Sequence, residues 1–298
     1  MKKFLFIIIP VFLATPVWAQ PVSMAFNPKV GSCLKFEMIR NTGMIQAAIS
    51  DADIQIDMQG SNSTYYQISF TTLERVKDLF VVEFCCDSIS FSAHTAAVSS
   101  FGDVVPGVAY KSSDFFPTGK PIILHISKQG KLVEMQGIDA LVDQFESGNK
   151  LKMMGIDPTT IVTFMIQDLV RLVIPEYTSG SLVIGKEWDC SQHLDAGMYQ
   201  FIEHLQYKLN SFDNTTVSLS LSSIIEPDEN DKFFEMLGMK AKMNMSGTST
   251  GTLQVERDTG WVTSFELQKS IKVRSIFENA PVALPPSVSR ETITVKRL

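Results

Sequence analysis

The amino-acid sequence predicts a mainly β, antiparallel protein with a central helical pair, built as two curved sheets or half-barrel modules. Two observations carry that prediction. In both halves of the chain, stretches with apolar residues at every second position, or in short runs, are separated by Gly, Asn, Asp and Ser. This is the pattern of strands with a buried face. Only between residues 138 and 175 do apolar residues recur at helical spacing instead,. The chain then divides into a leader over 1–19, an N-terminal β-module over 20–137, the helical pair over 138–175 and a C-terminal β-module over 176–298.

The leader comes first. Lys2 and Lys3 give it a positive start, residues 4–13 are almost continuously apolar, and Val17-Trp18-Ala19 places small residues where signal peptidase cuts,. Cleavage before Gln20 is expected, without the cysteine that would make a lipoprotein. The apolar stretch is too short for a membrane span. The expected product is a periplasmic or secreted protein with no transmembrane segment.

Composition narrows its partners. Charged residues make up 19% and hydrophobic residues 45% of the 298, which fits a packed globule. The formal charge is -6, and loss of Lys2 and Lys3 makes it more negative. Without a basic cluster, nucleic acid is a poor partner.

Strands are expected at 33–40, 53–58, 65–73 and 79–90, followed by an extended crossing over 92–119. A hairpin joins 122–126 to 132–135 through Ser127-Lys128-Gln129-Gly130-Lys131, where Gly supplies a positive φ,. Ile138, Leu141, Val142 and Phe145 mark a short amphipathic helix over 138–147. The second helix starts with Asp157 as N-cap and Pro158 at its first position, and stops before Pro175,. Its apolar residues lie nearly all round, so it must be covered on more than one side. Strand character returns at 182–184, 187–190, 199–210, 216–225, 240–245, 251–256, 261–269 and 291–297. A helical turn is expected at 231–237, and a Pro-rich extended stretch at 279–289. The hairpin at Asp258-Thr259-Gly260 echoes the one at Gly130.

Gly185-Lys186-Glu187-Trp188 opens one strand, the Gly-rich stretch from Gly247 to Gly251 precedes Asp258-Thr259-Gly260-Trp261, and Gly130-Lys131 leads to Gly137. In these turn signatures the chain resembles an uncharacterised family of exported Bacteroidetes-type β-rich proteins, a domain of unknown function. The resemblance implies a β-rich fold over nearly the whole mature chain. It implies no activity, cofactor or catalytic residue.

Strand alternation sorts the four cysteines. Cys33 shares an outer face with Lys35 and Glu37, and Cys85 with Glu83 and Asp87, so a Cys33–Cys85 disulfide is expected there, with Cys86 and Cys190 inside and available to each other. Four reduced thiols are the alternative. Asp189, His193, Asp195, Glu203 and His204 form the densest polar group, but their spacing matches no metal motif and reads as a solvated hairpin,. No metal, cofactor or catalytic residue is expected, and the protein is read as a non-enzyme. Met153, Met154, Phe164, Met165 and Leu169 are the candidate contacts for a hydrophobic small molecule or lipid, if the central helix lids a cavity; if it plugs the core, they are packing. An envelope structural or interaction module is the alternative function, and a hydrolase with an unrecognised site ranks below both.

Overall fold

The computed structural model describes residues 21–46, 57–98, 104–106, 118–143, 157–198, 200–228, 233–236, 239–278 and 286–298. The leader over 1–19, Met153 and Met154 lie outside them.

The fold is mainly antiparallel β. The first arm holds β1 (Cys33–Gln46), β2 (Asp57–Val76), β3 (Leu79–Val98), β4 (Val104–Pro106), β5 (Ile122–Ser127) and β6 (Leu132–Gln136). Among the described residues two helices follow, α1 (Ile138–Val142) and α2 (Pro158–Arg171). The second arm holds β7 (Glu187–Asp195), β8 (Gln200–Phe212), β9 (Thr216–Pro227), β10 (Phe234–Met236), β11 (Met239–Glu256), β12 (Val262–Phe277) and β13 (Ser287–Arg297).

The two arms form one sheet. Its order is β6-β5-β3-β2-β1-β13-β12-β11-β9-β8-β7, with β4 added to β3 and β10 to β11. The chain starts at the centre, meanders out to β6, crosses to β7 at the far edge, and meanders back until β13 pairs with β1. The path is open, because β6 and β7 are not paired with each other. Both run in the same direction, so the crossing must bring the chain back along the strands, and α2 does this.

The helix runs through the inside of the sheet. Val162, Ile166, Leu169 and Val170 are 0–3% exposed and join one core with Phe36, Ile68, Leu124, Leu205, Leu219 and Val295 from both arms. No residue of α2 is exposed, as its all-round apolar sequence requires. Each of those four side chains contributes about 2 kcal/mol by burial. The start is the one the sequence announces: the Asp157 carboxylate accepts from Thr159 N–H at 3.0 Å, with Pro158 at the first position,.

One end of the sheet is closed by its tight hairpins. The segment before β1 bridges the two that echo each other: Phe26 N–H donates to Lys128 O and Asn27 N–H to Thr259 O. Tyr177 joins the same two hairpins, its N–H donating to Gln129 O and its hydroxyl to Gly260 O at 2.5 Å. Gly260 has φ +76, and a Cβ there would stand 2.6 Å from Ala25 O. Trp261 sits above this seal, with Phe26, Phe36 and Phe70 ring centroids 5.0–5.8 Å away,.

Several expectations are corrected. Residues 60–64, a turn-like Gly-Ser-Asn-Ser-Thr, lie within β2 because β1 and β3 pair with them on both sides. Gly247, between the strands expected at 240–245 and 251–256, lies within β11, where a Cβ would run into Ser270 O of β12. Residues 234–236 form β10, not a helical turn, since they pair with β11. The first helix is described only to Val142. Leu182 makes a single bridge, to Val22.

All four cysteines are free thiols. The expected Cys33–Cys85 disulfide fails on register. Cys33 lies opposite Thr71 and Cys85 opposite Ser69, on strands separated by β2. Two strand spacings, roughly 9–10 Å, exceed the roughly 7 Å that a disulfide spans. Cys86 and Cys190 do turn inward, and both are free. Burial pushes each thiol up to about 12, which leaves little thiolate to react.

Two outcomes are expected. Alkylation of the denatured, unreduced protein should add four labels by mass spectrometry, and brief labelling of the native protein should favour exposed Cys33. Gly260→Ala should lower stability by about 1–3 kcal/mol, measured by urea unfolding.

Candidate functional site

Strand alternation dictates which side chains enter the sheet, and near mid-height they change character. Reading across the register, Glu291 of β13 pairs with Lys269 of β12, Lys269 with Ser249 of β11, and Ser249 with Ser223 of β9. Glu203 of β8 lies one diagonal step away and Arg40 of β1 beside the other end. A polar row therefore crosses an otherwise apolar inner face.

The helix supplies the other half of the row. Asp168 and Arg171, one turn apart on α2, face it. Arg40 Nη2 donates to Asp168 Oδ2, and Arg171 donates to Asp168 Oδ1 from Nε at 2.9 Å and Nη2 at 2.5 Å. The remaining Arg171 Nη1 donates to Glu203 Oε2. The second Glu203 oxygen accepts from Ser223 at 2.8 Å and lies 3.7 Å from Lys269 Nζ. Ser223 and Ser249 hydroxyls are 2.6 Å apart.

Asp168, Glu203 and Lys269 are at most 7% exposed, so these charges have been taken out of water. Burial alone would raise the Asp168 carboxyl; Arg40, Arg171 and Lys269 reverse this and hold it well below the usual carboxylate range. Glu203 is lowered in the same way against its own burial, by Arg171 and Lys269. Lys269 is lowered by burial and then by Arg171. A buried ion pair adds little net stability, but an orphaned buried charge costs several kcal/mol. The row thus fixes the depth and rotation at which α2 packs.

The inner face differs on its two sides. Towards the hairpins lies the main core. Away from them lies a smaller apolar cluster of Leu194, Phe201, Ile225, Met245 and Ile271, with Phe164 and Val273 against it. Burial falls off in that direction. On β1, Phe36 and Met38 are 0% exposed, Arg40 is half-buried and Met44 is 39% exposed. On β12, Phe265 is 3% exposed, whereas Val273 and Phe277 are only partly buried.

A second feature lies where the sheet fails to close. Gly130, Lys131 and Leu132 on one edge face Ser191, Gln192, His193 and Leu194 on the other across a cleft of about 320 Å³, lined also by Gln167, Val170, Arg171 and Ile174.

The residues expected to contact a ligand divide between these regions. Phe164 belongs to the smaller cluster, its ring 6.1 Å from that of Phe201. Met165 and Leu169 pack in the main core, Leu169 at 3% exposure, so the helix plugs the core at that level. Asp189, His193, Asp195 and His204 remain on the outer face while Glu203 turns in, so the pleat separates them. Among the described residues no three His, Cys, Asp or Glu side chains gather as metal ligands. On the outer face Ser191 Oγ is 2.9 Å from His204 Nδ1, and His204 Nε2 is 3.8 Å from Glu226 Oε2. This places serine and acid on the opposite nitrogens to those of a hydrolytic triad.

The charged row escaped the sequence reading, although it has a signal. Glu203 keeps step with Phe201, Leu205 and Tyr207, and Lys269 with Phe265, Leu267 and Ile271; charged residues in step with a buried set must be paired.

A family described as "Family of unknown function (DUF6263)" matches residues 117–262, from just before β5 to the start of β12. No curated protein matches the chain. Among solved structures, one titled "Lipid-protein interactions in lipovitellin" has a TM-score of 0.46 and 7% identity over 91% of this chain, which spans 25% of that one. An outer membrane channel from Pseudomonas putida F1 has a TM-score of 0.22 and 6% identity, covering 92% of this chain and 97% of that one. OccK9 from Pseudomonas aeruginosa has a TM-score of 0.17 and 6% identity, covering 90% and 99%. Among the described residues no helix is long and apolar enough to cross a membrane.

The row predicts an acid-labile fold. Its two carboxylates titrate lower folded than unfolded, so their contribution is present above their unfolded values near pH 4 and is lost as pH falls below them. Stability from urea unfolding should drop over that range. Asp168→Asn should cost about 3–5 kcal/mol at neutral pH and flatten the acid slope.

Proposed function

We propose that the chain is an exported, non-enzymatic binding protein that holds a hydrophobic small molecule or lipid against the inner face of its sheet. The signal-like leader and the resemblance to exported Bacteroidetes-type proteins support the export. The loss of burial along the inner face is the observation that carries the ligand. Below the charged row the inward residues Phe36, Met38, Leu205, Leu209, Phe265 and Leu267 are at most 5% exposed. Above it Met44, Phe164, Val273 and Phe277 remain apolar but keep part of their surface open. Apolar surface with a concave backing is where a greasy ligand gains most on leaving water. This moves the candidate site away from Leu169 and Met165 towards Phe164.

A second reading follows from the open path. Edges β6 and β7 present strand backbone on either side of the seam cleft, and exposed edges are places where another chain can add a strand. In that reading the protein is an envelope interaction module.

The precursor expressed and exported in a bacterial host tests both. The expected mature protein starts at Gln20, carries an adduct of lipid mass in native mass spectrometry, and binds the uncharged dye Nile red after delipidation. Protein that carries no adduct and does not bind Nile red refutes the ligand reading; recovery of a constant protein partner would then favour the second.

A further inference from the structure

The charged row borders the apolar face, and its groups are not equally satisfied. Arg171 spends three donor atoms on Asp168 and Glu203. Arg40 gives one nitrogen to Asp168, while its buried Nε–H meets no acceptor. Arg40 is also the more open of the two, its side chain 21% exposed against 12% for Arg171. Its strand carries it to the boundary: Met38 behind it is sealed in the core, and Met44 beyond it is the open apolar residue described above.

The ion pairs of the row are shared unevenly. Arg40, Arg171 and Lys269 share two buried carboxylates, Asp168 and Glu203. Glu291 faces the row from β13 and attracts Arg40 and Lys269, but it is only half-buried and forms no ion pair with either among the described residues. Arg40 thus donates to the row from one nitrogen while part of its side chain stays open, and such a guanidinium offers a directional donor to an oxyanion,.

We infer that the ligand is an anionic amphiphile such as a long-chain carboxylic acid, with its head group at Arg40 and its hydrocarbon tail along the inner face towards Phe164 and Val273. The inference rests on the hydrophobic-ligand reading and narrows it. The apolar surface supplies affinity, and the row supplies orientation and a preference for an acidic head. The polar row also sets how deep the ligand can go, since beyond it the helix fills the sheet.

Displacement of Nile red by oleate and by oleyl alcohol at pH 8, below their aggregation limits, tests this on the native full-length mature protein. Oleate should compete roughly tenfold more strongly, the scale of one hydrogen bond to a charged group. Arg40→Gln should bring the ratio of oleate to oleyl alcohol competition close to one, a ratio within the variant that a general loss of binding does not move. Arg40→Lys keeps the charge but not the planar guanidinium, and should retain only part of the preference. The comparison on unsubstituted protein stands even where a variant fails to fold. Equal competition by the two ligands would overturn the head-group assignment and leave the hydrophobic-ligand reading intact. Failure of Nile red to bind, or of either ligand to displace it, would overturn both.

Discussion

The structure depends on one topological constraint: the two edges of the sheet are joined in sequence, and both edge strands run the same way. A chain that leaves β6 cannot enter β7 without first travelling back along the strands. The return must lie on one face of the sheet, and a curved sheet has room for a helix only on its inner face. The apolar sequence of α2 follows from this, as does the absence of an exposed residue on it. The sheet's curvature, the helix and the core are one solution to one connection.

That solution brings charge inside. Asp168 and Arg171 ride on the helix into a space that is otherwise Leu, Val, Ile and Phe, and each needs partners that water no longer provides. Glu203, Lys269, Arg40 and the two serines come from strands far apart in sequence, yet register sets most of them in one line. The row divides the interior into a packed half and a half that stays partly open.

Much of the architecture was legible in the sequence. The period-2 stretches located most strands, Asp157-Pro158 located the start of α2, and the hairpins at Gly130 and Gly260 were read correctly as turns. The pleat also assigned Cys86 and Cys190 inward. What failed was whatever depends on which strand lies beside which. Cys33 and Cys85 share an outer face but not an edge. Gly247 and the Gly60 segment look like breaks until a neighbouring backbone is placed against them. The candidate site was half legible: Phe164 faces the open half, Leu169 does not, and Arg40 was not singled out because nothing local reveals that Asp168, far along the chain, will sit above it.

The pairing of β1 with β13 has a consequence in time. These strands hold the middle of the sheet, yet one is the first strand in sequence and the other the last. As the chain emerges it can form the outward meander, and later the returning one, but the two arms stay unjoined until β13 arrives. Completion waits on the contact with the greatest loop to close, the step at which topology slows folding most. A protein whose centre is its last piece remains an open thread until the final strand arrives.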